Sequence, residues 1–130
     1  MPSPPGPELP RTPTPESIAS SAGGLAILTF DAAQEALDFS HAARAALANN
    51  GLSVRVGIDA GSVLLFQNAS GPGGITGDPV NIASKLSEDA GGGGYINLTD
   101  RALRRLSAAP AGELFKIEIS GVALTGITLT

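Results

Sequence analysis

Asn81 and Lys85, in the segment GDPVNIASKL, are residues whose types and spacing could do chemistry. Four positions apart on a helix, they share a face, with Glu88 one turn further on. An amide and an ammonium near a helix start can meet a ribose or a phosphate, and the helix dipole adds to the attraction. Asp78 at the head of the same segment opposes a bound anion, and Lys85 with Glu88 also fits a plain solvated surface pair. Asp59 offers a carboxylate within VRVGIDAGSV. Arg101, Arg104 and Arg105 form a small basic cluster, expected on the exposed face of a short helix. His41 reads as a surface helix residue. The run GPGGITG over residues 71–77 has the glycines of a phosphate loop. It lacks the Lys-Ser/Thr of a P-loop and the dinucleotide spacing, so it reads as a flexible loop. The four glycines at 91–94 read as a connector.

The elements that must position these groups are bounded by composition. The chain has 130 residues, enough for one ordinary domain. Hydrophobic residues make up 42% and aromatics 4%, so a core must come from Ala, Leu, Ile and Val. A fully disordered chain lacks that much apolar material. So few aromatics leave no platform on which to stack single-stranded bases. A formal charge of -4 argues against a general grip on nucleic acid or anionic lipid. With no cysteine, thiolate catalysis and Cys-based metal sites are excluded, and the single histidine excludes a multi-His cage. No apolar run reaches the roughly 20 residues of a membrane span. The N-terminus lacks the basic-then-apolar pattern of a secretory signal. A soluble, cytoplasmic protein is therefore the expectation.

Seven of the ten prolines fall within the first fifteen residues. Residues 1–22 have little to bury and read as a disordered or polyproline-like tail. Its Thr-Pro steps at Thr12 and Thr14 would suit kinase sites or a docking ligand, although a solubilising linker explains them better. From residue 23 onward the pattern is globular. LAILTF (25–30) reads as a buried strand. Asp31 is expected to cap a helix from Ala32 to about Asn49, ended by Gly51. Glu35, Asp38, His41 and Arg44 recur on its solvated face, with Ala36, Leu37, Ala43 and Leu47 on the other side. Residues 52–66 begin with strand alternation, Val54, Val56 and Ile58 pointing one way. Gly57 and Gly61 there imply a bulge, a bend or close backbone approach. Asp78 and Pro79 begin a helix running to about Ala90, whose packed stripe is Val80, Ala83, Leu86 and Ala90. Residues 95–98 read as a strand, and Thr99 or Asp100 caps a helix through Leu106. Residues 113–119 and 122–129 form a closing hairpin around Ser120-Gly121. The expected class is α+β, with helices packed on a sheet.

Three stretches in order, VRVGIDAGSV, GITGDPVNIASKL and YINLTDRALRRL, resemble the second half of the class III adenylate/guanylate cyclase catalytic domain. There a strand of the form VRIGIHxGxV precedes GDxVNxASRL, then a strand and a short helix. Residues 115–129 look like that family's last hairpin, and residues 23–30 like its GDGxLAxF strand. The resemblance covers roughly residues 23–130. It implies a ferredoxin-like nucleotidyl-cyclase sheet with the N-terminal strand missing, because the Pro-rich tail stands where that strand should be. The missing strand is central in the family, so an open sheet edge or a gap is expected.

The resemblance also implies roles and losses. Asn81 matches the Asn that orients the ribose. Lys85 holds the place of the Arg that stabilises the transition-state phosphates, keeping the charge without the bidentate fork. Two aspartates hold two divalent metals, Mg²⁺ or Mn²⁺, in the family. One would lie on the missing strand, and the position of the other is Gly24, which offers no ligand. The purine-selecting positions are Ser20 and Gly74. No metal and no cofactor is therefore expected here. Without the metals the transition state loses most of its stabilisation. The expected function is a degenerate cyclase-homology domain, a non-catalytic regulatory or dimerisation module in cyclic-nucleotide signalling. The alternative is a half-site completed by a partner that supplies the aspartates. The implied partners are another cyclase-type domain or a second copy, with weak binding of ATP or GTP at most.

Overall fold

A computed structural model describes residues 12–15, 17–20, 25–65, 75–89, 93–119 and 121–130. Most of the tail, Gly24, Gly74, the greater part of the 71–77 run and two of the four glycines at 91–94 lie outside the described residues. Chain order is β1 (Ser17–Ser20), β2 (Ile27–Thr29), α1 (Ala33–Asn49), β3 (Val56–Ile58), β4 (Leu64–Leu65), β5 (Ile75–Thr76), α2 (Asp78–Asp89), β6 (Ile96–Thr99), α3 (Asp100–Leu103), β7 (Glu113–Ile119) and β8 (Val122–Leu129). The class is α+β.

The main sheet has four strands in the order β3-β6-β8-β7. β3 and β6 run parallel, joined through α2, and the remaining pairs are antiparallel. β7 and β8 form the hairpin that the alternation and Ser120-Gly121 foretold, closing on Ile119↔Val122. Gly121 takes a positive φ of 79° at that turn, a conformation glycine adopts without strain. Among the described strands β3 has one neighbour, β6, and ends the sheet. β1 and β2 pair antiparallel as a separate two-stranded sheet, as do β4 and β5. Ser17–Ser20 thus pair within the stretch that composition assigned to the tail.

Strand parity places the helices on opposite faces. Val56, Ile58, Ile96, Leu98 and Leu129 project to one side, where Leu37 of α1 and Ala102 of α3 complete the core. Gly57 faces the other way, and α2 packs directly on it. A Cβ at residue 57 would run into the backbone oxygen of Ala83 and lie 3.0 Å from the Leu86 Cβ. Of the readings open for Gly57, close backbone approach is therefore the one realised. Leu86 is fully buried there, and β6 is buried along its whole length.

Several local expectations shift. α1 starts at Ala33 with Ala32 as N-cap and no side-chain cap, so Asp31 does not cap it. Gly51 ends it as expected, its N–H donating to the Ala48 carbonyl. The strand expected over 52–66 shortens to three residues of β3, and β4 pairs elsewhere. α3 is one turn long rather than reaching Leu106. β2 is half-buried, not fully buried.

Candidate functional site

α2 presents Asn81 and Lys85 on its exposed side, while Leu86 is buried against β3 and Val80 and Ala83 are half-buried. The amphipathic pattern of VNIASKL causes this: the apolar stripe must cover the strand, and the polar residues are left outside. The first turn carries Asp78, and the N–H groups of Val80 and Asn81 donate to the Gly77 carbonyl at 3.1 and 3.4 Å. The Lys85 Nζ lies 3.6 Å from Glu88 Oε2, with the two side chains 55% and 54% exposed. Such a pair holds neither partner firmly, since water competes for both charges. The other end of α2 has no basic residue of its own in the last turn. Arg55 supplies one from the approach to β3, its Nη1 donating to the Glu88 carbonyl at 3.3 Å.

At the C-terminal ends of the parallel strands β3 and β6 lies a second polar cluster, built quite differently. The Asp59 side chain is wholly buried. Its Oδ1 accepts from Arg101 Nε at 2.7 Å, from Thr99 Oγ1 at 2.6 Å and from the Ala60 N–H at 2.8 Å. Its Oδ2 accepts from Arg101 Nη2 at 2.5 Å. The guanidinium thus engages the carboxylate with both prongs. Thr99 Oγ1 also accepts from the Ala102 N–H at 3.3 Å, so one hydroxyl caps α3 and holds Asp59. The hydrogen bond from Arg101 to Asp59 raises the Arg101 pKa, with the carboxylate's charge adding to it and partial burial opposing it. A raised folded-state value means the charged guanidinium stabilises the fold. That contribution is complete at neutral pH and is lost only as pH rises through the arginine range.

This corrects the reading of Arg101 as one of three exposed arginines. Arg104 and Arg105 are exposed, whereas Arg101 turns inward to Asp59. Arg44 likewise leaves the purely solvated face expected of it. Its Nη1 donates to the Gly94 carbonyl at 3.1 Å and its Nη2 lies 3.2 Å from His41 Nδ1. Arg44 and His41 line a shallow cleft of about 320 Å³ with Gly112, Glu113 and Thr128. Neither Asn81 nor Lys85 lines it.

Two of the described carboxylates are already engaged by protein donors. Asp59 is saturated by Arg101, Thr99 and a backbone N–H. Asp100 accepts from Thr125 Oγ1. Among the described residues no three of His, Asp and Glu gather as metal ligands. No helix among the described residues is long and apolar enough to cross a membrane. The chain matches no family model and no characterised protein by sequence.

Sequence reasoning singled out Asn81 and Lys85, and the structure brings them to one exposed helix face. It missed the union of Asp59, Thr99 and Arg101. The cap signal at Thr99 was readable, but no local pattern links it to a carboxylate 40 residues earlier.

Proposed function

We propose that the chain is a degenerate nucleotidyl cyclase homology domain with a ferredoxin-like sheet. In this reading it serves as a regulatory or pairing module in cyclic-nucleotide signalling and has no turnover of its own. The observation that carries the reading is the exposure of Asn81 and Lys85 together on α2, beside a chain with Gly24 at the expected metal-aspartate position. A face of that kind holds the nucleotide-contacting half of a shared site and lacks the metal-binding half. What supports the reading in the fold is the α+β class with the parallel β3–α2–β6 unit; β2, the segment likened to the family's GDGxLAxF strand, pairs with β1 outside that sheet.

The test is cyclic-nucleotide production by the purified chain with Mn²⁺ and ATP or GTP, read by mass spectrometry. The expected result is no turnover above a Lys85→Ala control. Turnover above that control would overturn the non-catalytic reading. The same exposed face also favours a half-site completed by a partner. That reading requires activity on mixing with a cyclase-type domain that has its aspartates, and loss of that activity in Lys85→Ala.

A further inference from the structure

Among the described strands β7 is the other end of the main sheet, and its residues carry a pattern that suits a copy of itself. Ile119↔Val122 closes a two-residue connection. Glu113, Phe115, Ile117 and Ile119 therefore exchange main-chain hydrogen bonds with β8. The N–H and C=O groups of Leu114, Lys116 and Glu118 point away from β8, along the free edge. Strand alternation puts the side chains of Leu114, Lys116 and Glu118 on one face, all exposed, Leu114 to 85%. Phe115, Ile117 and Ile119 lie on the other face, half-buried or buried.

We infer that β7 pairs antiparallel with β7 of a second copy, about a two-fold axis through Ile117, joining two four-stranded sheets into one of eight strands. Antiparallel partners share a face, which limits the registers to axes through single residues. An axis through Lys116 sets Lys116 against its own copy, and like charges directly opposite destabilise a pair. An axis through Phe115 sets Leu114 against Lys116 and leaves Glu118 without Lys116. The axis through Ile117 sets Lys116 against Glu118 twice, once in each direction. It also stacks Ile117 on its copy and Phe115 on Ile119 on the opposite face. In this register Lys116 and Glu118 are the residues that exchange main-chain hydrogen bonds across the edge, as their outward N–H and C=O groups require. The inference stands on the β7 edge alone and does not depend on the proposed function. A single strand pair is a small interface, so the dimer is weak and concentration-dependent.

The full chain is tested by sedimentation equilibrium from micromolar to millimolar concentration, with circular dichroism as the check on folding. The expected result is reversible dimerisation. Lys116→Glu should weaken it by about tenfold or more, because two attractive pairs become repulsive. The combined Lys116→Glu/Glu118→Lys swap should restore it. Because the chain has no cysteine, Ile117→Cys alone should oxidise to a covalent dimer. Leu114→Cys should not, since in this register its two copies stand about 20 Å apart. A monomer at every concentration would overturn the inference and make Lys116 and Glu118 guards against edge pairing. A dimer indifferent to Lys116→Glu, or one that cross-links through Leu114→Cys, would overturn it as well.

Discussion

Two ion pairs in this molecule, Arg101–Asp59 and Lys85–Glu88, are made of similar chemistry and do opposite things. In the first, the carboxylate is buried and every hydrogen bond it accepts is short. In the second, both side chains are about half exposed and the charges sit 3.6 Å apart. Burial makes the difference. A carboxylate removed from water must be fully hydrogen-bonded, so Asp59 fixes the positions of Arg101, Thr99 and the start of α3. A charge left in water fixes nothing around it, and Lys85 stays available to a ligand or partner. The cluster at the strand ends ties three elements together, and the polar face of α2 is left in water.

That contrast can be broken at its stronger end first. Arg101→Met leaves a buried carboxylate with only Thr99 and one backbone N–H. We expect a loss of about 3 kcal/mol in urea unfolding, the low end for a broken buried pair because Arg101 is partly exposed. Asp59→Leu combined with Arg101→Met should recover most of that loss, since no uncompensated charge remains. A single variant with near-normal stability would show that water solvates Asp59. Thr99→Val comes next. It removes the cap of α3 and one of the four hydrogen bonds to Asp59, and should lower stability by about 1–2 kcal/mol. A loss confined to a few tenths would leave Thr99 as a cap alone. The smallest effect belongs to the other pair. Lys85→Ala should change unfolding free energy by less than about 0.5 kcal/mol. A larger change would mean that Lys85 is part of the fold and would remove the contrast.

Much of the frame was legible in the chain. The alternation ELFKIEI, the Ser-Gly pair and VALTGITL specify a hairpin because each strand must bury one face and turn sharply between. VNIASKL specifies α2 and its outward residues because a helix with one apolar stripe has only one way to face a sheet. Arg101 was misread because three arginines in one short helix look alike from sequence, and only one of them stands beside Asp59. Arg44 was misread because its partner, the Gly94 carbonyl, is 50 positions away. β1 was hidden by its setting among Pro, Ser and Thr, and it forms because β2 offers it a strand to pair with.

The sequence by itself determined that cysteine chemistry is absent, that Gly24 offers no metal ligand, and that Asn81 and Lys85 share a helix face. It also determined the hairpin and its register, because all of these depend on residue type or on spacing within one or two elements. Only the tertiary structure decided which charges are buried, that α1 and α2 cover opposite faces of the sheet, and that β3 and β7 are its ends among the described strands. Those outcomes depend on which distant groups meet. A hydrogen bond or a desolvation penalty between residues 40 positions apart leaves no mark on local periodicity, and it exists only once the chain has packed.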